Sequence, residues 1–510
     1  MTNRDTITRR NFLAGASGLA LLSASSTPAE GKTPAVPNAS LLELSAVQAV
    51  ALMQRGELDA ERYAAALLER CAERHDLNAF ITLEPERVLE EARAADRRRT
   101  AGGPLGALHG LPIPIKDSLN TRDYPTTAGT PALRSFRPSA NAPIVQTLVN
   151  AGAIVLGKTN LHELSYGWTS NNQAFGAVRN PYDRRHIPGG SSGGTAVAIA
   201  ARMAPLGVAE DTEGSIRVPA ALCGIVGFRP TTGRYSTRGA VPISSLFDQV
   251  GPHARNVGDI ALFDAVAAGG PAAIAPLPLA GTRIAIARDY FFTGLDPQVE
   301  HLTDLALAKL RAAGAQLIEA DVPELAALID LVTDQVQNHD VRTELEGYLR
   351  SYSAPATLDA LIAQASPDIR TTFAHDVLPG GAGVVSEQEY RAAVDIHLPR
   401  LRQIFRDYFA KTGAVALAFP TTRVPAPLIG DDVELSIRGE KVEFAAAIAR
   451  NIAPGSTVGI PGVVLPVGLT RERLPVAIEF DGPAGEDRAL LRLALAAEAV
   501  LGPIAPPPAT

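Results

Sequence analysis

The sequence predicts an α/β fold with a large, mostly buried sheet, and three observations carry that prediction. Short apolar runs of strand length recur along the chain, stretches of helical periodicity separate them, and the composition is that of an ordinary globular protein. Of the 510 residues 46% are hydrophobic and 20% charged, enough apolar surface for one extensive core. Strands alternating with helical patterns imply βαβ units and a sheet covered by the intervening helices. The length exceeds one average domain, yet α/β enzymes often run this long as a single unit.

The elements follow in chain order. Residues 42–74 place apolar side chains at helical spacing (Leu42, Val47, Val50, Leu52, Met53), with a break at Gly56 and a second helix over 59–73. Residues 84–99 are charged on most faces and read as a surface helix. The runs 154–156, 206–209, 225–228, 284–287, 415–419, 463–467 and 476–480 read as strands, as does Leu111-Pro112-Ile113-Pro114-Ile115. Residues 194–203 form a small-residue helix, 298–313 and 487–500 are further helices, and 320–412 is mainly helical. No internal repeat is present.

The N-terminus is a different kind of segment. Thr8-Arg9-Arg10-Asn11-Phe12-Leu13 and the apolar run to Leu22 resemble a bacterial twin-arginine export signal. The run has about half the ~20 residues of a membrane span. Small-residue cleavage sites fall at Thr27-Pro28-Ala29 or Ser23-Ala24-Ser25. Residues 1–29 are thus expected to be a signal peptide and 30–41 a Pro-containing linker, with the folded domain over 42–505. This places the mature protein in the periplasm; the alternative is a cytoplasmic protein with an uncleaved tail. The expected partners are a small-molecule substrate and, transiently, the export machinery, and a homodimer is left open.

The net charge of −7 argues against nucleic acid or a stable association with an anionic membrane, both of which attract basic patches. Cys71 and Cys223 offer neither metal spacing nor a disulfide framework. Nine histidines are scattered without a ligand-like pair, so no metal and no cofactor is expected.

One constellation carries chemistry. Gly189-Gly190-Ser191-Ser192-Gly193-Gly194 precedes the 194–203 helix, and Ser215 follows the 206–209 strand in Asp211-Thr212-Glu213-Gly214-Ser215-Ile216-Arg217. The two serine loops therefore return to one edge of the sheet. Lys116 ends the buried run Leu111-Pro112-Ile113-Pro114-Ile115, and only six of the 47 basic residues are lysine. Burial disfavours the ammonium form and can lower a lysine pKa by ~3–5 units. A neutral lysine is a general base, and two serines within its reach give a nucleophile and a proton relay. Other readings of the glycine loop fail. A nucleophile elbow requires a buried strand before it, whereas Asn180-Pro181-Tyr182-Asp183-Arg184-Arg185-His186-Ile187-Pro188 precedes this one. A phosphate loop requires a following Gly-Lys-Ser/Thr. Ser215 also suits a helix N-cap ahead of Ile216. Asp211 and Arg217 bracket the loop and suit an ion pair that fixes it, and Asp117 suits positioning a loop better than transferring protons.

Lys116, Ser191 and Ser215 resemble the Ser–cis-Ser–Lys triad of the amidase signature family, serine hydrolases that cleave carboxamides. His109-Gly110-Leu111-Pro112-Ile113-Pro114-Ile115-Lys116-Asp117 and Val155-Leu156-Gly157-Lys158-Thr159-Asn160-Leu161-His162-Glu163 are similar to landmarks of that family. So are the segments from Ala221 to Thr231 and from Gly459 to Gly468, which extends the resemblance over roughly residues 42–501. It implies a single large domain with a mixed central sheet covered by helices on both faces. It implies Ser215 as nucleophile, Ser191 as relay and Lys116 as base, with Gly190, Ser192, Asp211 and Arg217 supporting the site. It further implies a cis peptide between Gly190 and Ser191, and an oxyanion hole from the main-chain amides of Thr212, Glu213, Gly214 and Ser215. Glu213 stands where some relatives have glycine; because the donors are main-chain, an outward side chain is tolerated there. The segments Ala220–Gly224 and Gly227–Tyr235 are most similar to bacterial indole-3-acetamide and mandelamide hydrolases. The expected substrate is an aryl-acetamide, with a peptide C-terminal amide, aliphatic amide, ester or carbamate as the broader alternative. By the same analogy the helices of 320–412 roof the pocket. Two rivals are a glutamine-hydrolysing amidotransferase subunit, which an export signal contradicts, and a non-catalytic binding protein, which would be expected to have lost triad residues.

Overall fold

The computed structural model describes residues 38–508; the expected twin-arginine signal over 1–29 and residues 30–37 of the expected linker lie outside the described residues. The helix Asn38–Leu42 already occupies the end of that linker. Helices Ala46–Arg55 and Ala60–Glu73 follow, separated at Gly56, whose left-handed φ of 73° caps the first.

Fifteen strands are described. They are β1 (Phe80–Leu83), β2 (Pro112–Lys116), β3 (Ile154–Thr159), β4 (Asn171–Asn172), β5 (Gly176–Ala177), β6 (Leu206–Asp211), β7 (Val226–Arg229) and β8 (Gln249–Ala254). After these come β9 (Arg283–Ile286), β10 (Gln316–Glu319), β11 (Ala416–Pro420), β12 (Glu434–Ile437), β13 (Glu440–Glu443), β14 (Gly462–Leu469) and β15 (Pro475–Asp481). Eleven of them form one sheet in the order β1-β3-β2-β6-β8-β7-β14-β15-β11-β9-β10, while β4–β5 and β12–β13 are separate hairpins.

The sheet is mixed. β2 runs parallel to both β3 and β6, and β9 parallel to β10 and β11, as βαβ connections require. The centre, from β6 through β8, β7, β14 and β15 to β11, is antiparallel throughout. The βαβ reading of the sequence therefore holds at the flanks and not at the centre. β8, in the middle, has no apolar run to announce it: its sequence is Gln-Val-Gly-Pro-His-Ala, yet every residue is buried.

The functional end of the sheet is set by β2 and β6. Ile115 pairs with Val208 in parallel register, so both strands end at one edge of the sheet, β2 at Lys116 and β6 two residues further on at Asp211. The helix Gly193–Ala200 is buried on every face and packs on β6 and on the helix Arg217–Cys223. An all-round apolar helix of small residues brings the loop before it and the loop after β6 into contact. Gly194 is required there: a Cβ would run into the main-chain carbonyls of Asn160 and Ala79.

Candidate active site

Lys116 is fully buried at the end of β2, and its Nζ lies 2.6 Å from Ser191 Oγ. Burial lowers its pKa, against the opposing pull of Glu210, Asp211 and Asp248. A second buried lysine, Lys158, has its pKa lowered by burial as well but has a different set of contacts. Lys158 Nζ lies 2.9 Å from Asp117 Oδ1 and donates to Leu119 O, Pro125 O and Thr126 Oγ1. That nest of acceptors suits a structural ammonium. Lys116 instead faces one hydroxyl and one carboxyl residue.

Ser191 follows a cis Gly190–Ser191 peptide. A Cβ on Gly190 would meet the Trp168 carbonyl carbon at 2.7 Å, so only glycine fits this turn. Ser192 Oγ donates to Glu210 O at 3.0 Å, and Ser192 N donates to Ser215 O at 3.3 Å, which staples the two serine loops together. Ser215 is 4% exposed, and among the described residues no hydrogen bond reaches its Oγ, including from Ser191. Ser215 is not a side-chain helix cap: Ile216 precedes the helix Arg217–Cys223, and no side chain caps it.

The loop 211–216 is held from beneath by one carboxylate. Asp211 Oδ1 accepts from Gly214 N at 2.7 Å and Oδ2 from Ile216 N at 3.0 Å. Of the four main-chain amides expected to form the oxyanion hole, that of Gly214 is therefore already committed to Asp211. Gly214 has a φ of 95°, and a Cβ would strike the Ile452 side chain. Arg217 grips Asp211 at 3.1 and 3.2 Å and Glu479 at 2.8 Å, while Arg229 Nε lies 3.3 Å from Asp211. Burial pushes the Asp211 carboxyl up, but Arg217 and Arg229 more than reverse this and hold it at about 2.

Several residues here escaped the sequence reading. Glu210, 1% exposed at the end of β6, places its carboxylate 2.8 Å from Lys116 Nζ. The signal was available: a charged residue ending a buried strand is as unusual as Lys116 itself. Thr212 Oγ1 lies 3.1 Å from Glu210 Oε1 and 2.6 Å from Asp248 Oδ1. Arg229, Asp248 and Glu479 arrive from β7, the β8 approach and β15, and no local spacing marks them.

The helical segment above the serine loops touches them directly. Gln337 Nε2, on the helix Thr333–Ser351, donates to Glu213 Oε2 and Asp334 Oδ1, both at 2.8 Å. Burial, helped by Asp334, raises the Glu213 carboxyl to about 8, so it is neutral at pH 7. Trp168 Nε1 donates to Glu213 O at 2.9 Å, and Tyr166, bonded to Asn338, meets the Phe373 ring edge-on at 5.2 Å. Among the described residues no group of His, Cys, Asp and Glu could hold a metal ion.

Comparison with known proteins agrees with this geometry. The Amidase family profile matches residues 62–491. Indoleacetamide hydrolase of Agrobacterium vitis is 37% identical over 455 residues, 89% of this chain and 96% of that protein. Mandelamide hydrolase of Pseudomonas putida is 37% identical over 476 residues, 91% of this chain and 92% of its own. Among solved structures, the peptide amidase of Stenotrophomonas maltophilia superposes with a TM-score of 0.76 at 30% identity, over 91% of this chain and 98% of its own. A match of this extent, on a mixed sheet that brings a buried lysine to a serine-bearing glycine loop, makes the chain a member of the amidase signature family.

Proposed function

We propose that this amide-hydrolysing enzyme works through a serine acyl-enzyme, with Ser215 as nucleophile, Ser191 as relay and Lys116 as base. The observation that carries the reading is the buried 2.6 Å bond from Lys116 to Ser191, in a loop stapled to that of Ser215. Ser215 gives its proton to Ser191 as its Oγ bonds the amide carbon, and Ser191 passes its own to Lys116. A Ser215–Ser191 hydrogen bond, not made in the free enzyme, forms when substrate is present, as catalytic hydrogen bonds often do. The oxyanion is received by the main-chain amides of Thr212, Glu213 and Ser215, a donor of this kind contributing ~3–4 kcal/mol. Gly214 supports the hole through Asp211 in place of donating to it. The proton returns to the departing nitrogen, ammonia leaves, and water releases the carboxylate by the reverse path.

The substrate we infer is an aryl-acetamide such as indole-3-acetamide or mandelamide. Two relatives are named for such substrates, and the Trp168 indole is bonded to Glu213 O of the nucleophile loop. A ring buried there gains ~25 cal/mol for each Å² removed from water, and the part realised in the transition state raises turnover. The twin-arginine segment supports action in the periplasm on an environmental amide. The test is kcat/KM for ammonia release by the purified chain from indole-3-acetamide, phenylacetamide, propionamide and glutamine. Both aryl substrates are expected to lead. Propionamide or glutamine matching them removes the aryl-acetamide reading in favour of broader specificity, and no release from any amide removes the mechanism.

A further inference from the structure

Lys116 Nζ has three neighbours: Ser191 Oγ at 2.6 Å, Glu210 Oε2 at 2.8 Å and Glu210 O at 3.3 Å. A neutral amine has two N–H bonds and one lone pair. A carboxylate and a carbonyl can only accept, so both N–H bonds go to Glu210 and the lone pair is left facing the Ser191 hydroxyl. After proton transfer the ammonium has three N–H bonds, and the same three neighbours accept them. One arrangement serves both states without moving a side chain.

We propose that Glu210 is the positioning residue of the lysine base, aiming its lone pair at Ser191 and supplying the counter-charge once Lys116 carries the proton. This rests on Lys116 being the base, as set out above. In the step, the Ser215 O–H breaks as its Oγ–carbon bond forms, Ser191 takes that proton, and the Ser191 O–H breaks as Nζ–H forms. Positive charge appears on Lys116 and negative charge on the tetrahedral oxygen. Glu210 meets the first and the loop amides the second.

Thr212 ties Glu210 to a second carboxyl. It lies within bonding distance of both Glu210 and Asp248, and because a hydroxyl has one hydrogen to give, satisfying both contacts requires a proton on one carboxyl. Among the described residues Asp248 forms no salt bridge; besides its contact with Thr212 it accepts from the amides of Ile243 and Ser244. Burial and the charge of Glu210 raise its pKa. A proton on Asp248 satisfies both contacts, with Asp248 donating to Thr212 and Thr212 donating to Glu210. The other ionisable groups acting on this centre are accounted for. Asp211 is occupied by Arg217 and Arg229. His253, on β8, gives Nε2 to Ile216 O, and burial lowers its pKa to about 4, leaving the ring neutral.

The experiment is the pH profile of kcat/KM, with the rate of fluorophosphonate labelling alongside, for wild type, Glu210→Gln and Glu210→Asp, with Lys116→Ala as reference. Removing the anion while keeping an acceptor lowers the proton affinity of Lys116. Glu210→Gln is expected to move the ascending limb acidward by about one pH unit or more and to lower the plateau at least about tenfold, with an unchanged melting profile. Glu210→Asp keeps the charge at shorter reach: its limb is expected to stay near wild type while its plateau falls. A folded Glu210→Gln with wild-type limb and plateau overturns the proposal, as does a Glu210→Asp limb displaced as far as that of Gln. If Glu210→Gln does not fold, Glu210→Asp carries the test, and a wild-type plateau there overturns the positioning role. An active Lys116→Ala would instead remove the base assignment, so the two failures are distinguishable.

Discussion

Replacing Arg217 with methionine removes a cation that holds the 211–216 loop through Asp211, and the structure sets the size of the effect. Arg217 is fully buried between Asp211 and Glu479. Its loss leaves Asp211 with Arg229 alone, at 3.3 Å, and leaves Glu479 without its ion-pair partner. Asp211 sits at about 2 against its ordinary 3.8, a displacement corresponding to ~2–3 kcal/mol of stabilisation. Stranding one side of a buried pair typically costs ~3–5 kcal/mol, so Arg217→Met is expected to lose about 4 kcal/mol near pH 7. The pH dependence has a definite sign. A depressed carboxyl stabilises the fold above its unfolded pKa of 3.8, and that stabilisation is lost as pH falls through about 2. In the variant, Asp211 and Glu479 are buried anions short of a cation, and protonation relieves them. The deficit should therefore shrink between pH 7 and about 4.5. Urea midpoints by circular dichroism at the two pH values measure it. A deficit below about 1 kcal/mol at pH 7, or one equal at both, would refute the view that this ion pair carries the loop.

Three further outcomes are expected. Burial raises the Glu213 carboxyl to about 8, so its ionisation above that pH would set a charge beside the loop proposed to receive the oxyanion. Activity should fall at least about threefold from pH 7 to 9 in wild type but not in Glu213→Gln. Its raised carboxyl favours folding below the unfolded value of 4.5, an advantage lost as pH rises through about 8, so Glu213→Gln should also gain stability over wild type in alkali; parallel profiles would contradict both. Replacing Arg9 and Arg10 by lysine is expected to trap the protein in the cytoplasm, and unchanged recovery from the periplasmic fraction would contradict an export signal.

How much of this was legible beforehand follows from how far each interaction reaches along the chain. The β2 run ending at Lys116, and the glycine loop leading into a small-residue helix, are local patterns, so the sequence shows them. The family follows from the same motifs. β8 was hidden because Gly251, Pro252 and His253 interrupt its apolar character, and only burial between β6 and β7 makes it a strand. Glu210 could have been found by the argument that found Lys116. That its carboxylate turns towards Lys116 depends on the parallel register of β2 and β6, which no local spacing encodes. The commitment of the Gly214 amide to Asp211 was likewise out of reach, because it depends on how a six-residue loop folds over its own carboxylate.

The central claim is that Ser215 is the atom donor of the acyl-enzyme and Ser191 its relay. Reaction with a fluorophosphonate probe, followed by peptide mapping, tests it most directly. The account predicts a single adduct on Ser215 in wild type, none on any serine in a folded Ser215→Ala variant, and slow labelling still confined to Ser215 in Ser191→Ala. An adduct on Ser191 in wild type, or undiminished labelling of Ser215→Ala, would contradict it.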